Sequence, residues 1–389
     1  MPHSKYKFLG DYEFVWGPVR KGTSESILFN FLSSGEELHN LEITAGYKKR
    51  NAKAVLSKKE NLYEQIAVTE RISGLHAFAS SLSFVLSVED FLELSDKIGD
   101  DIKILRMFFA EFERIRNHIE NLSEIAESTY IQVPSALYAY YAEMLKQLSH
   151  KFLNSRYLMG VNEIGGIRKD LSKSDIENIF NSVNSIVGKV QAVIKKNIET
   201  KSHIDRLKTT GKIDLKTARR FCANGVVAKS IGISKDLRMN NPYLLYGGIN
   251  LKPVILEEGD AFSRYVVRIE EIEQSLNILE YCLSALRENG FDHTASLPEN
   301  GYGGRLKSAP FMSNLSHSRN HGFGYAESSE GAIFCYVKDF DGNIFKKINI
   351  KYPFENNYKL FACSTKNTMM MDFNINETSY NFSVAALDK

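Results

Sequence analysis

Apolar residues recur at helical spacing through most of the middle of this chain. Between residues 74 and 94, Leu75, Phe78, Leu82, Val85, Leu86 and Phe91 fall along one stripe, the 3.6-residue period of a helix that buries one face. Residues 101–127 repeat the pattern with Ile104, Leu105, Phe108, Phe109, Phe112, Ile115, Ile119 and Leu122. A third helix is predicted over 136–159, after Pro134 interrupts the chain. A fourth spans 173–200 with Ser172 as its N-cap, and a last long one covers 260–286. Long helices joined by short links predict a bundle core.

The ends of the chain follow a different period. Residues 13–16, 26–32 and 38–44 are short β-rich runs separated by the turn-forming Gly17-Pro18 and Ser33-Ser34-Gly35. After Gly290 come glycine- and polar-rich residues, then a hairpin signal: runs 331–337 and 345–350 around Asp341-Gly342-Asn343. The expected fold class is therefore α+β, a central long-helix bundle with small antiparallel β-sheets contributed by the N-terminal and C-terminal regions. One domain over 1–389 is expected, with an N-terminal β region at 1–65, a helical core at 66–290 and a C-terminal loop and β region at 291–389. No internal repeat is visible.

Composition narrows the function classes. A length of 389 residues allows a substantial core, and 49 basic against 47 acidic residues leave a net charge of +2. Such a balance exerts no global pull on nucleic acid or anionic lipid. Cys222, Cys282, Cys335 and Cys363 form no C-x-x-C pair, which argues against a disulfide framework or thiolate cage and for a reducing compartment. The first residues lack a signal-peptide core, and no apolar run approaches the roughly 20 residues that span a bilayer. The chain is expected to be soluble by itself, so any membrane role must come through partners. Neither a nucleotide-binding glycine loop nor a nucleophile elbow occurs.

Several residues carry candidate chemistry, each with a plainer reading. Glu111, Arg114 and His118 share a helical face; the row is either a buried proton relay or a solvated face with an intrahelical ion pair. His76 is either a proton donor or relay, or a histidine hydrogen-bonded within a packed helix start. Arg71 is a candidate partner for a carboxylate beneath the same loop. Asp236 and Arg238 read as a structural ion pair. His317 and His321 stand four apart, but in a Gly- and Ser-rich loop without an acidic third ligand, which reads as loop rather than zinc site. The basic runs 48–50 and 346–347 read as solvated, and Met369-Met370-Met371 as a core or interface strand.

The loop 71–79, RISGLHAFA, resembles the Cys-Gly-x-Cys element of nickel–iron hydrogenase large subunits, with Ser73 and His76 at the cysteine places. Residues 381–389, NFSVAALDK, resemble that family's closing Asp-Pro-Cys-x-x-Cys run, with Ser383 and Ala386 at the cysteine places. Further likenesses follow in order: Gly17-Pro18, 46–50 (GYKKR), 110–118 (AEFERIRNH), Met159-Gly160, 165–171 (GGIRKDL), 229–238 (KSIGISKDLR) and 258–268 (EGDAFSRYVVR). Together these blocks cover almost the whole chain. They resemble a family with two branches. One is the hydrogenase large subunit of the hydrogenase-4 and formate hydrogenlyase type. The other is the quinone-site, D-type subunit of respiratory complex I, the NADH-quinone oxidoreductase.

That resemblance implies a subunit of a membrane-associated, ion-translocating oxidoreductase, with quinone and NAD chemistry in the wider complex. Soft thiolates hold the hydrogenase metals; Ser73, His76, Ser383 and Ala386 replace all four, and Glu330 stands where the branch places an arginine beside them. No nickel–iron centre and no hydrogenase activity are expected. In the complex I branch a tyrosine and a histidine bind the quinone headgroup. Those places fall here on Gly74 and Ser24, with Glu127 next to the place of the histidine's acidic partner, while His76 matches that branch. The resemblance implies no cofactor held by this chain, an iron–sulfur cluster in a partner small subunit, and quinone as a candidate acceptor. Implied partners are that iron–sulfur small subunit, membrane antiporter-like subunits and a protein like the C-type subunit of complex I, and the implied location is cytoplasmic, peripheral to the inner face of the membrane through partner subunits. The N-terminal extension of some relatives, a domain like that C-type subunit, is not expected here. The alternative role is a catalytically silent scaffold of such a complex.

Overall fold

A computed structural model describes residues 11–19, 26–47, 49–288 and 319–387. Ser24, Lys48 and His317 lie outside the described residues. The chain opens with strands β1 (Asp11–Trp16), β2 (Leu28–Ser34) and β3 (Glu37–Thr44), an antiparallel meander turned at Gly35. Two short helices, α1 (Ala52–Leu56) and α2 (Leu62–Thr69), follow; the N-terminal region is therefore not β throughout. A 3-10 turn, Gly74–His76, leads into α3 (Ala77–Phe91).

The bundle is built on α4 (Asp100–Ser128), which packs against α3, α5 (Gln132–Leu153) and α11 (Ala261–Glu288). Pro134 sits in the first turn of α5 rather than ahead of it, because a helix start has no use for that missing N–H. The same helix stops at Asn154, in the left-handed region at φ 53°, earlier than the apolar pattern suggests. Short strands β4 (Asn162–Glu163) and β5 (Gly166–Ile167) form a tight hairpin before α6 (Lys173–Ile198). Ser172 caps the start of α6, as its sequence predicts, and Asp175 completes a capping box with it. Four short helices connect α6 to α11: α7 (Lys201–Leu207), α8 (Leu215–Arg220), α9 (Gly225–Lys229) and α10 (Leu237–Asn240).

Strands β6 (His321–Ser328), β7 (Gly331–Phe340) and β8 (Phe345–Lys351) form an antiparallel sheet on α3. Only glycine permits this approach on β6. A Cβ on Gly322 would lie 2.0 Å from Ser87 O, and one on Gly324 2.3 Å from Ser83 O. His321 thus opens a strand and is not loop. Helices Phe354–Ser364 and Phe373–Tyr380 fill much of a C-terminal region expected to be loop and strand. Strand β9 (Thr368–Met369) pairs with β3, so the end of the chain completes the N-terminal sheet in the order β1-β2-β3-β9. Met370 and Met371 fall in the 3-10 turn beyond it.

Candidate functional site

The bundle interior is unusually rich in charge. Glu111, Arg114 and His118 project from α4 and are each at most 1% exposed. The face they share is buried. Arg114 Nε donates to Glu111 Oε2 at 3.0 Å, and its Nη1 lies 3.5 Å from Glu271 Oε2 on α11. His118 Nε2 stands 2.7 Å from the same Glu271 oxygen. The structure therefore links all three predicted residues to one carboxylate, Arg114 and His118 directly and Glu111 through Arg114.

The expected Asp236–Arg238 ion pair is present and belongs to the same assembly; the sequence reading missed Lys229, Tyr246, Glu271 and Ser275. Lys229 Nζ donates to Glu271 Oε1 and, at 2.6 Å, to Asp236 Oδ2. Arg238 clamps Asp236 at 2.8 Å and 3.0 Å and reaches Glu111 at 3.1 Å and 3.2 Å. Tyr246 OH and Ser275 Oγ donate to Glu111 at 2.6 Å and 2.7 Å. The ring of contacts closes on itself: Glu111, Asp236 and Glu271 against Arg114, Lys229 and Arg238. Three carboxylates against three cations leave no net charge inside, the condition under which buried ions are tolerated.

Protonation follows from burial and these partners. Burial works to raise Glu111, but the Arg238 and Arg114 guanidiniums hold it below the usual carboxylate range. Glu271 is likewise driven up by burial, yet Lys229 and His118 hold it well below that range. For His118, burial dominates and pushes the imidazole down to about 4 despite Glu271. Beside the network, burial raises Glu327 to about 7 and Glu330 to about 7. His118 Nδ1 and Glu327 Oε1 have no hydrogen-bond partner among the described residues.

The β6–β7 turn carries this network to the loop around His76. Arg114 donates to the carbonyls of Glu327 and Ser328 at 2.7 Å and 2.8 Å. Ser329 Oγ lies 3.2 Å from His76 Nε2 and accepts from Asn117 Nδ2 at 3.2 Å. The other ring nitrogen, Nδ1, lies 3.1 Å from Ser73 Oγ. Surrounded in this way, His76 is fully buried, and its pKa falls to about 3 through desolvation and then the charges of Arg116, His118 and Arg114. Glu330, next in the turn, accepts from Arg268 at 2.8 Å and from Asn381 at 2.9 Å. Through Asn381 the turn meets the segment that holds Ser383, 7% exposed, and Ala386, fully buried.

Arg71 is not part of this site. Its side chain is exposed, donates to Ala67 O at 2.6 Å and lies 3.5 Å from Glu70. It terminates α2, where a cation and the last carbonyls attract one another. Glu127 is also exposed. A carboxylate does lie beneath the 71–79 loop, but it is Glu113, which accepts from the backbone of Phe78 at 2.8 Å and Ala79 at 3.0 Å. Burial raises it to about 7.

The profile of the family described as "Respiratory-chain NADH dehydrogenase, 49 Kd subunit" matches residues 135–389. The chain belongs to this family. Among its relatives, the C/D subunit 1 of NADH-quinone oxidoreductase from Aquifex aeolicus (strain VF5) is 26% identical over 92% of the chain and 60% of that protein. Formate hydrogenlyase subunit 5 of Escherichia coli (strain K12) is 26% identical over 69% of the chain and 47% of that protein. The chain thus spans roughly half the length of the curated relatives it matches. A chain in the structure of the membrane-bound sulfane sulfur reductase, an archaeal respiratory membrane complex, has the same fold, with a TM-score of 0.86, 19% identity and coverage of 98% of this chain and 99% of that one.

A nickel–iron centre does not fit the residues at the four cysteine places. Both nitrogens of His76 are engaged by serines, Ser73 is one of those serines, and Ala386 offers no donor atom. No helix among the described residues is long and apolar enough to cross a membrane.

Proposed function

We propose that the chain is the large-subunit-like component of a membrane-associated, ion-translocating oxidoreductase complex of the complex I and hydrogenase-4 kind, without a nickel–iron centre of its own. Its own contribution is to couple electron transfer or quinone reduction in the complex to ion movement. The observation that carries the reading is the closed, neutral and buried network of Glu111, Arg114, Lys229, Asp236, Arg238 and Glu271, joined through the β6–β7 turn to His76.

In a balanced network of this kind, one added proton or one displaced cation changes the energy of every partner, because little water screens them. His118 Nδ1 and Glu327 Oε1 are the open ends at which a proton enters or leaves. Glu327, raised to about 7, holds that proton near neutral pH, and Glu330, also near 7, does the same on the other side of the turn. A charge change beside the loop 73–76 would thereby reach α9, α10 and α11. Gly74 faces outward there, and a Cβ on it meets nothing within 4 Å.

The scaffold alternative draws on a different observation: the serine contacts of His76 satisfy the loop without any ligand. The two readings separate experimentally. The tagged chain, isolated from membranes in mild detergent, should bring with it an iron–sulfur small subunit and antiporter-like membrane subunits. Complexes carrying His76→Gln or Glu111→Gln should assemble and lose turnover. Full turnover in both variants would make the chain a scaffold, and recovery of the chain without membrane partners would overturn both readings.

A further inference from the structure

A second group of charges lies away from this network, on the outer side of β7. There Arg220 from the end of α8, Lys235 from the loop after α9, Lys351 from the end of β8 and Lys359 from the helix Phe354–Ser364 line a cleft of about 420 Å³. Phe334 forms part of its wall and stands opposite Lys351 in the β7–β8 register. No aspartate or glutamate among the described residues lines the cleft. Among the described residues none of the four cations forms an ion pair, whereas Lys346 on the adjacent strand β8 pairs with Asp341 at 2.9 Å.

Four like charges brought to one cleft from four separate segments repel one another, and a bound anion would relieve that repulsion. A concave wall of one sign focuses its field into the cleft, where an anion gains more than on an open surface. Arginine and lysine together suit phosphate oxygens, the former through paired N–H groups and the latter as a point charge. The cleft's size is that of a small-ligand site, whereas a protein docking face is flatter and buries about 800 Å² per partner. We propose that this cleft binds a small phosphate-bearing polyanion, supplied either as a free nucleotide or polyphosphate or as the headgroup of an anionic phospholipid. The assignment is independent of the coupling role argued above.

Cys222 also lines the cleft and is exposed, which gives the site a built-in reporter. In the intact complex, alkylation of Cys222 by iodoacetamide is followed by mass spectrometry with pyrophosphate, ATP, phosphatidylglycerol vesicles or phosphatidylcholine vesicles added. Pyrophosphate or ATP near ten times its dissociation constant should slow the reaction about tenfold. The double variant Lys351→Glu/Lys359→Glu should raise the half-protecting concentration about tenfold or more, while Lys195→Glu on α6 should not. Protection by phosphatidylglycerol vesicles alone assigns the phosphate to lipid. Protection by a decaglutamate peptide but by no phosphate probe would overturn the proposal in favour of an acidic protein segment. It is equally overturned if no probe protects, if the double variant binds normally, or if Cys222 in the complex fails to react at all.

Discussion

Replacing Arg114 by methionine removes the cation that joins the network to the β6–β7 turn while keeping an unbranched side chain to fill the space. Four contacts disappear: to Glu111 at 3.0 Å, to Glu271 at 3.5 Å, and to the carbonyls of Glu327 at 2.7 Å and Ser328 at 2.8 Å. Breaking a buried ion pair from one side costs about 3–5 kcal/mol. Arg238 still holds Glu111, and Lys229 still holds Glu271, so the lower end of that range applies. The two stranded carbonyls add about 1–3 kcal/mol. The expected loss is therefore about 4–6 kcal/mol, a large part of the roughly 5–15 kcal/mol by which a folded protein is usually stable. Urea unfolding followed by fluorescence and circular dichroism measures it. In the double variant Arg114→Met/Glu111→Gln, the lost charge no longer faces an ionised partner, so the double loss should fall short of the sum by about 1 kcal/mol or more. A loss below about 1 kcal/mol for Arg114→Met alone would mean that water reaches the guanidinium, and the reasoning from a dry, closed network would fail.

The remaining predictions test other links. His76 binds its proton far more weakly folded than unfolded, being pushed from 6.5 to about 3; its contribution is present above pH 6.5 and is lost as pH falls, by about 1.4 kcal/mol per unit. His76→Gln should remove one proton's worth of that slope between pH 6.5 and about 3, measured by urea unfolding across pH; an unchanged slope would refute the assignment. Gly324→Ala should destabilise by about 2–4 kcal/mol, because its Cβ meets Ser83 O at 2.3 Å, and wild-type stability would contradict the packing of β6 on α3. Glu113→Gln should cost about 1–2 kcal/mol through the weakened cap on Phe78 and Ala79, again read by unfolding. Nickel in the purified complex should be far below one per chain by elemental analysis, and a stoichiometric amount would overturn the account of the four cysteine places.

Much of the fold was legible because long amphipathic helices repeat their signal many times. Residues 101–127 announce α4 through eight apolar positions, and Ser172 marks the start of α6. Short C-terminal elements repeat theirs once or twice. The helix Phe354–Ser364 buries Phe354, Asn357, Leu360, Phe361 and Ser364, a 3.6-residue period carried partly by polar residues and easily lost beside a hairpin. Strand β6 was hidden for a related reason: Gly322 and Gly324 occupy its buried face, where apolar side chains would have revealed the alternation. At the site, the spacing of Glu111, Arg114 and His118 pointed to one helical face but could not show that Glu271, 153 residues from His118, lies opposite. Lys229, Asp236 and Arg238 stand within ten residues of one another in the sequence, but Glu271 is one of several charges along α11 and nothing in its spacing sets it apart. Only the packing of α11 on α4 and α9, with Arg238 of α10 reaching Glu111, turns these separate charges into one network. Arg71 misled because its neighbours in sequence are buried while its own side chain leaves the core at the end of α2.

The number of ions moved per electron transferred tests the central claim most directly. Glu111→Gln keeps the shape of the side chain and one of the two acceptor oxygens that Tyr246 and Ser275 use, but removes the charge that Arg114 and Arg238 share. Measured in sealed membrane vesicles on complex assembled to the normal level, the ratio should fall in this variant while the partner subunits remain bound. An unchanged ratio at unchanged turnover would contradict the coupling role and leave the chain as a scaffold.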